Sequence, residues 1–259
     1  MTSRTQLAGR GSVLARRNLQ TEIGTLKSPR TLSYVEAVRE ATDLEMARDP
    51  AVILFGLDVD DPKAIQGTTR GLAEKYGPER VFGTPLSEDA MTGAAIGMAL
   101  AGLRPIHVHI RMDFLMLAMN QLVNVAAKSR FMFGGRVSVP LVVRSMIGRS
   151  WGQGAQHSQG LHSLFMHVPG LKVVAPATPY DAKGCLITAI RDDNPVLYIE
   201  HRLLCPLTQK KDVIAVDAFG GQTVGAGARA DSRRPLTTAL VRVNRVLVVL
   251  ADKKNGEPL

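Results

Sequence analysis

The 259-residue chain has little of several features that would define a protein class at once. Its two cysteines, Cys185 and Cys205, are too few for a disulfide framework and lack the CxxC spacing of a zinc site. The longest apolar runs, such as 246–251, fall far short of the roughly 18–20 residues that a membrane helix needs. Neither a GxGxxG motif nor a Walker phosphate loop occurs. We therefore exclude a disulfide-rich secreted protein, expect no membrane association, and place the chain in a reducing compartment, the cytoplasm.

Basic residues outnumber acidic ones, 32 against 23, but the excess lies entirely at the two ends of the chain. Residues 1–30 carry six basic side chains and one acidic one, and residues 206–259 carry nine and five. The stretch between them, 31–205, holds seventeen of each and is neutral. A neutral middle argues against a basic groove for phosphate backbones, so no nucleic-acid partner is predicted.

Within 31–205, short apolar runs typical of buried strands alternate with segments of helical periodicity. This alternation predicts an α/β fold, a doubly wound parallel sheet with helices on both faces. Such sheets bind ligands beyond the carboxyl ends of their strands, so we expect the chemistry in the loops 83–87, 110–113 and 144–158. The predicted strands are 51–55, 80–82, 105–110, 140–144, 171–175 and 195–200, and the predicted helices are 33–48, 71–76, 88–101, 114–131 and 180–191.

The two flanking segments lack this pattern. Residues 1–30 are rich in Arg, Ser, Gly and Thr and predict a flexible basic arm. An acid-poor, Arg-rich start is also typical of an organelle transit peptide, which would place the protein in the mitochondrial matrix. In 206–259 only the apolar run 246–250 is typical of a strand, and this is too little core for an independent domain.

Glu88 follows the second predicted strand, in the sequence Gly-Thr-Pro-Leu-Ser-Glu-Asp at 83–89. A carboxylate in the first turn of a helix, beside a capping Ser87, is a common feature of helix N-termini. The alternative is a carboxylate at the active edge of the sheet that protonates or hydrogen-bonds a ligand. Spacing alone leaves both interpretations open.

Two histidine motifs have similar alternatives. The segment 156–159, Gln-His-Ser-Gln, follows the glycine-rich stretch 148–154. A loop of this kind suits a proton shuttle, although His157 can equally be a plain surface residue. His107 and His109 lie on one face of a predicted strand, where they either begin a metal site or form a packed, hydrogen-bonded pair. No third ligand follows at a recognisable spacing, which favours the packed pair.

Several motifs stand in a fixed order along 31–205: Thr-Pro-Leu-Ser-Glu at 84–88, Ala-Gly-Leu-Arg-Pro at 101–105, Gln-His-Ser-Gln at 156–159 and Pro-Gly-Leu-Lys-Val-Val at 169–174. In sequence and spacing they resemble the pyrimidine-binding domain of thiamine-diphosphate enzymes of the transketolase superfamily. More narrowly, they resemble the beta subunit of the decarboxylase component of 2-oxo acid dehydrogenases, of pyruvate, acetoin and branched-chain type. The resemblance implies the thiamine-diphosphate-binding fold and a role in oxidative decarboxylation with acyl transfer to lipoamide.

The resemblance also implies roles for individual residues. Glu88 would hydrogen-bond the aminopyrimidine of thiamine diphosphate and so promote loss of the proton from its thiazolium carbon. His157 would handle protons during decarboxylation and acyl transfer. Phe114 would stack on the pyrimidine, and Gln121 would also contact the cofactor. A structural potassium ion would be held, largely through main-chain carbonyls, by Leu141, Ala189, Ile190, Asp192 and Asn194.

The chain departs from the family pattern near these residues. Leu57 and Val108 stand where the family usually has glutamate, and Met112 stands where it usually has an aromatic residue. Gly-Asp-Gly, with which a separate domain of family enzymes anchors Mg²⁺ and the diphosphate, does not occur. The resemblance therefore implies an alpha subunit that supplies the Mg²⁺ half of the site, an alpha2beta2 heterotetramer, and a lipoyl transacylase core as a further partner.

The family continues past residue 200 into a further domain, which 206–259 does not resemble. A truncation, a frameshift or a gene-model error is expected there. Two alternatives to the dehydrogenase subunit stay open at this point. One is a transketolase-like or deoxyxylulose-phosphate-synthase-like enzyme that acts on sugar phosphates, and the other is an inactive pseudosubunit that only binds a partner.

Overall fold

The computed structural model describes residues 30–61, 63, 65–149, 153–206, 208–211, 239–243 and 246–250. The predicted basic arm, apart from Arg30, and most of the predicted tail 206–259 lie outside these residues. Among the helices in the described part of the chain, none combines the length and the apolar character needed to cross a membrane.

The described residues form ten strands, six of which build a central parallel sheet. The strands are β1 (Arg30–Ser33), β2 (Val52–Gly56), β3 (Val81–Gly83), β4 (Arg104–His109), β5 (Val142–Ile147), β6 (Lys172–Val174), β7 (Val196–His201), β8 (Thr208–Lys211), β9 (Ala239–Val243) and β10 (Val246–Leu250). The order in the sheet is β3-β2-β4-β5-β7-β6. Because β3 lies on one side of β2 and β4 on the other, the direction of winding reverses between β2 and β4. Open parallel sheets bind ligands at such a reversal.

Helices cover both faces of this sheet. They are α1 (Tyr34–Arg48), α2 (Leu72–Tyr76), α3 (Glu88–Leu100), α4 (Met112–Leu115), α5 (Ala127–Met132), α6 (Ser163–Met166) and α7 (Pro179–Arg191). Alternate residues of β2 point into two separate cores: Val52 and Leu54 pack under α1 and α7, whereas Ile53 and Phe55 pack under α3 and α4. This arrangement confirms the predicted α/β fold, a doubly wound parallel sheet.

Local signals in the sequence explain where the two longest helices of the first face begin. Ser33 and Glu36 form a capping box at the start of α1: the Ser33 hydroxyl accepts from the Glu36 amide at 3.2 Å, and the Ser33 amide donates to the Glu36 carboxylate at 2.7 Å. At the start of α7 the Thr178 hydroxyl accepts from the Asp181 amide at 3.2 Å. Arg191, in the last turn of α7, donates to Glu45 of α1 at 2.6 Å and ties the two helices together.

The predicted long helix over 114–131 is confirmed as an uninterrupted helical segment over 112–132, but it is not a regular α-helix throughout. After α4 the chain makes a 3₁₀ turn at Met116–Ala118 and a π-helical segment at Asn120–Ala126 before α5 begins. Leu115, Ala118 and Leu122 are buried in this geometry, as they would be in a regular helix. Apolar periodicity therefore could not reveal the wider turn, because it reports which residues face the core and not which carbonyl each amide reaches.

Pairing between the ends of the described region was not predicted. β1 and β8 form a two-stranded antiparallel ribbon in which Ser33 lies opposite Thr208. β8 lies just past residue 205, the predicted domain boundary. Its partner β1 is far away in sequence, so no local pattern indicated the pairing. β9 and β10 form a second antiparallel pair, and β10 confirms the strand suggested by the apolar run 246–250. The strand predicted at 140–144 begins later, at Val142, and ends at Ile147.

Candidate active site

A cavity of about 590 Å³ lies at the carboxyl ends of β2, β3 and β4. It occupies the point where the winding of the sheet reverses, and all three loops that were expected to hold the chemistry contribute to its walls. The lining residues are Leu57, Thr84, Pro85, Leu86, Ser87, Glu88, Met91, His107, Val108, His109, Ile110, Arg111, Phe114, Gln153 and His157.

Gly56 lets β2 end close against β4 at this cavity. Its φ is +148°, and a Cβ atom at this position would lie 2.4 Å from the carbonyl oxygen of Val108. Only glycine tolerates both the backbone conformation and the close approach. The next residue, Leu57, is therefore directed into the cavity lining where the family usually has glutamate.

Glu88 is the first residue of α3, and its half-buried side chain lines the cavity. Ser87 precedes the helix, but its hydroxyl makes no capping hydrogen bond, so the predicted cap is wrong. Its carbonyl instead accepts the first helical bond, from the amide of Met91 at 2.9 Å. The free amides of the first turn favour a negative charge here, which is compatible with a carboxylate kept ready for a ligand. The role of Glu88 in cofactor contact stays a prediction.

Phe114 and His157 meet in the same cavity. Their ring centroids are 5.1 Å apart and their planes stand at 74°, an edge-to-face contact between α4 and the 3₁₀ turn Ala155–His157. Phe114 is 36% exposed, so part of its ring is open to a ligand. The fold thus brings together Glu88, Phe114 and His157, three residues that are 26 and 43 positions apart in the sequence.

Gln121 does not line the cavity. It lies in the π-helical segment, where its Nε2 donates to the Asp89 carboxylate at 3.4 Å. A Cβ atom added to Gly93 of α3 would lie 3.5 Å from the Gln121 amide carbon, so the side chain packs against that helix. Gln121 therefore contacts the residue that follows Glu88, and its contact with a cofactor stays a prediction.

His107 and His109 form a buried pair at the end of β4. Their ring centroids are 4.4 Å apart, and His107 also stacks on Phe55 at 4.6 Å. Nε2 of His109 lies 3.1 Å from the Thr92 hydroxyl, but neither ring nitrogen of His107 has a hydrogen-bond partner among the described residues. Burial lowers the pKa of His107 to about 4, so the ring is neutral at pH 7. The packing was predicted, whereas the hydrogen bonding holds for His109 alone.

Two further polar residues of the cavity, Arg111 and Gln153, were not singled out from the sequence. Both lie within the loops expected to carry chemistry, directly after β4 and β5. Their positions in the loops that follow strand ends could have identified them as candidates. Their residue types could not, because an isolated Arg or Gln in a loop is usually a solvated surface residue.

The residues predicted to hold potassium lie at the opposite, amino-terminal edge of the sheet. Ala189 and Ile190 belong to the last turn of α7, Asp192 caps its C-terminus, and Asn194 precedes β7. The Leu141 carbonyl accepts from the amide of residue 196 at 2.8 Å at the start of β5. Helix C-termini present carbonyl oxygens to a cation, so the donor type fits.

Two cationic side chains already bind some of these oxygens. Arg104 donates to the carbonyls of Ile190 at 2.9 Å and Asp192 at 2.8 Å, and Lys172 donates to the Asp192 carboxylate at 2.5 Å. A carbonyl oxygen has two lone pairs, so these bonds leave one for a cation. Whether a potassium ion binds here stays a prediction.

Comparison with known proteins identifies the family. Residues 30–208 match the family described as the pyrimidine-binding domain of transketolase. The chain belongs to this family. The resemblance found in the sequence motifs is confirmed, and the six-stranded sheet with its cavity is the pyrimidine-binding domain.

Curated relatives of this pyrimidine-binding domain are beta subunits. The chain is 49% identical over 185 residues to the acetoin:2,6-dichlorophenolindophenol oxidoreductase subunit beta of Cupriavidus necator, covering 68% of this chain and 54% of the relative. It is 47% identical over 174 residues to the pyruvate dehydrogenase E1 component subunit beta of Chaetosphaeridium globosum, covering 67% and 53%. A mitochondrial E1 subunit beta-2 of Oryza sativa subsp. japonica is 46% identical over 169 residues, covering 65% and 45%. The chain thus spans about half the length of the curated relatives it matches.

Solved structures show the same fold. A split gene transketolase, described as an inactive beta4 tetramer, superposes with a TM-score of 0.54 at 18% identity, covering 66% of this chain and 51% of that one. Transketolase from Leishmania mexicana superposes with the same TM-score at 16% identity, covering 71% and 27%. At such low identity the likeness shows the fold and nothing finer.

Proposed function

We propose that the chain is the beta-type subunit of a thiamine-dependent 2-oxo acid dehydrogenase and supplies the pyrimidine half of the cofactor site. One observation carries the proposal: Glu88, Phe114 and His157 line a single cavity at the switch point of the sheet. The beta-subunit relatives, at 46–49% identity, support the same choice over a sugar-phosphate enzyme.

The cavity residues suit an aromatic heterocycle. Phe114 offers a partly exposed ring for stacking, Glu88 offers a carboxylate, and His107 offers ring nitrogens that have no partner among the described residues. Thiamine diphosphate, when bound, supplies the nucleophilic carbon and the electron sink that decarboxylation of a 2-oxo acid requires. Glu88 and Phe114 are the residues proposed to hold its pyrimidine.

The chain's own side chains have distinct tasks in this proposal. Glu88 exchanges a proton with the pyrimidine from the first turn of α3, where its side chain lines the cavity. Phe114 orients the ring by stacking. His157 moves a proton at the mouth of the cavity during decarboxylation and acyl transfer, a task for which imidazole is suited near neutral pH.

The proposal requires an alpha subunit. The described residues hold no group of three His, Cys, Asp or Glu side chains able to bind a metal ion, and the sequence has no Gly-Asp-Gly. We infer that a partner contributes the Mg²⁺ and diphosphate contacts, as the Gly-Asp-Gly domain does in family enzymes, and we propose an alpha2beta2 heterotetramer that serves a lipoyl transacylase core. The unpaired thiols of Cys185 and Cys205 support the cytoplasm as its location.

Joint production of this chain with the alpha subunit of the same organism's decarboxylase component tests the proposal. We expect a stable complex that releases CO₂ from a 2-oxo acid and acylates lipoamide only when thiamine diphosphate and Mg²⁺ are present. Turnover of sugar phosphates that ignores lipoamide would instead identify a transketolase-like enzyme. A stable complex without any turnover would identify a pseudosubunit.

We further propose that the amino-terminal edge binds a potassium ion through Leu141, Ala189, Ile190, Asp192 and Asn194. Thermal unfolding of the full chain in matched KCl and NaCl tests this without any activity assay. We expect a higher Tm in KCl, because a ligand that binds only the folded state stabilises it. Asp192→Asn should remove the difference, and equal Tm values for the unsubstituted chain would contradict the site.

A further inference from the structure

Two arginines follow the carboxyl ends of the two strands that flank β5 in the sheet. Arg111 follows β4 and lines the cavity, and Arg202 follows β7. Arg202 is only 4% exposed, and its Nη1 donates to the side-chain oxygen of Gln153, another cavity residue. Gln153 thus connects the two arginines, since it lines the cavity beside Arg111 and accepts from Arg202. Burial, and secondarily the charge of Arg202, lowers the pKa of Arg111.

Neither guanidinium is fully satisfied within the described residues. Nε of Arg111 and both Nε and Nη2 of Arg202 are buried without a hydrogen-bond partner there, and neither side chain forms an ion pair with a described carboxylate. The only bond from the Arg111 guanidinium goes to the carbonyl of Ile110 at 3.2 Å, within the part of the chain that the structure describes. Buried unpaired donors on a cation are costly, so such a pair calls for an anion.

Burial lowers the pKa of both arginines, and one nearby carboxylate, Asp113, opposes that lowering in part. Its Oδ1 is bound by the amide and side chain of Gln159, at 3.2 and 2.8 Å, and its Oδ2 has no partner among the described residues. The cluster thus combines two positive charges with one negative charge. Its excess of a single positive charge matches a monoanion better than a dianion.

By contrast, the fully buried Arg144 is neutralised within the chain. It donates to both oxygens of Glu200, at 2.6 and 3.0 Å, and to the Thr68 hydroxyl at 2.8 Å. Nη1 of Arg144 also lacks a hydrogen-bond partner among the described residues, but Glu200 balances its charge, whereas no described carboxylate forms an ion pair with Arg111 or Arg202.

We propose that Arg111 and Arg202, with Gln153, form an oxyanion subsite in the cavity wall that takes the carboxylate of a small acid. The forked N–H groups of arginine suit a planar carboxylate. Identifying that acid as the 2-oxo acid substrate rests on the proposed function, whereas the subsite itself rests on the geometry alone. Phosphate presents the same oxyanion chemistry, and the experiment separates the two sources.

Titration calorimetry of the full chain with pyruvate, inorganic phosphate and the neutral ester methyl pyruvate tests the subsite without cofactor or alpha subunit. We expect pyruvate to bind in the millimolar range, phosphate more weakly, and the ester not at all. Arg111→Gln should weaken pyruvate binding by roughly ten-fold or more, as expected for a lost charge-assisted hydrogen bond. Arg136→Gln, at an exposed position outside the cavity lining, is the matched control and should leave binding unchanged.

Arg202→Gln should have the same effect as Arg111→Gln. If this buried substitution prevents folding, as seen by circular dichroism, the half-exposed Arg111 decides the outcome alone. Pyruvate binding that Arg111→Gln leaves intact would overturn the subsite, and Arg111-dependent binding of phosphate in preference to pyruvate would overturn its assignment to a carboxylate. The calorimetry involves no partner and no cofactor. An inactive heterotetramer would therefore refute the proposed function and leave the evidence for the oxyanion subsite unchanged.

Discussion

Polar side chains at the two edges of the parallel sheet differ in how completely their hydrogen-bonding groups are paired within the described residues. At the amino-terminal edge, Arg104 binds two carbonyls and the Asp193 carboxylate, and Arg80 binds the carbonyls of residues 46, 49 and 52 at 2.7–3.0 Å. At the carboxyl edge, His107, Arg111 and Arg202 keep buried nitrogens without a partner among the described residues. Within the described residues, the two arginines of the first edge bind backbone and carboxylate oxygens, whereas each of the three side chains at the second edge keeps at least one nitrogen without a partner.

This difference separates structural from functional polar groups. Buried polar groups in folded proteins are hydrogen-bonded with few exceptions, so a cluster of exceptions at one edge needs a reason. The cavity provides it, because His107 and Arg111 line it and Arg202 donates to Gln153, another lining residue. Substitutions at the carboxyl edge should therefore lower activity. Substitutions in ion pairs that form within the chain should lower the free energy of unfolding in proportion to the burial of the pair.

The largest effect should come from Glu88→Gln at the carboxyl edge, measured in the assembled heterotetramer. The amide keeps the shape of the side chain but cannot exchange a proton with the pyrimidine. Hydrogen–deuterium exchange at the thiazolium carbon should fall by roughly 10²–10⁴-fold, as for a lost general acid–base group. His157→Ala is the matched control, since it should leave the exchange nearly intact and slow decarboxylation or acyl transfer. An unchanged exchange rate in the Glu88→Gln complex would show that Glu88 does not contact the pyrimidine.

The next largest effect should come from Glu200→Gln, which removes the carboxylate from the buried ion pair with Arg144. Glu200 is 1% exposed and Arg144 is fully buried, so the substitution leaves an uncompensated cation. We expect a loss of about 3–5 kcal/mol in the free energy of unfolding, measured by urea denaturation. Glu79→Gln, at an exposed position, should have almost no effect. The double variant Arg144→Met, Glu200→Leu should recover most of the loss, and a failure to recover would mean that more than charge holds this site.

The sequence predicted the carboxyl edge better than it predicted the interior of the elements that build it. Strand alternation located the three loops of the cavity, and family motifs located Glu88, Phe114 and His157, because both signals follow chain order. The change from α to 3₁₀ and π geometry within 114–131 escaped prediction because the same apolar residues are buried either way. Gln121 lies in the π-helical part and packs against α3, and no local pattern records that geometry.

The unpaired cluster was equally beyond sequence reasoning. Arg111 and Arg202 are 91 residues apart, and only the adjacency of the β4 and β7 ends to the loop that carries Gln153 brings them together. A residue's lack of a partner is a property of the packed structure. The family motifs therefore indicated Glu88, Phe114 and His157 but gave no indication of Arg111 and Arg202, which only the folded structure brings near Gln153.

A smaller effect should appear in the pH dependence of stability. Burial places the folded-state pKa of His107 at about 4, below the value near 6.5 that it has in the unfolded chain. The unfolded state therefore binds more protons between these values, and stability falls as the pH drops from about 6.5 to about 4. His107 contributes on the order of 2–3 kcal/mol to this fall. His107→Leu should flatten the profile, His167→Leu at an exposed position should not, and parallel profiles for all three chains would contradict the assignment.

The smallest effect should come from Asp193→Asn at the amino-terminal edge. Its carboxylate accepts from Arg104 Nη1 at 3.1 Å, but the side chain is 64% exposed, so water and salt screen the pair. We expect a loss of no more than about 1 kcal/mol in urea denaturation, shrinking further in high salt. Arg104→Gln should cost more, because it also removes the bonds to the carbonyls of Ile190 and Asp192. If Asp193→Asn lowered the free energy of unfolding as much as Glu200→Gln, burial would not determine how much each ion pair contributes to stability. The contrast between the two edges would then need another cause.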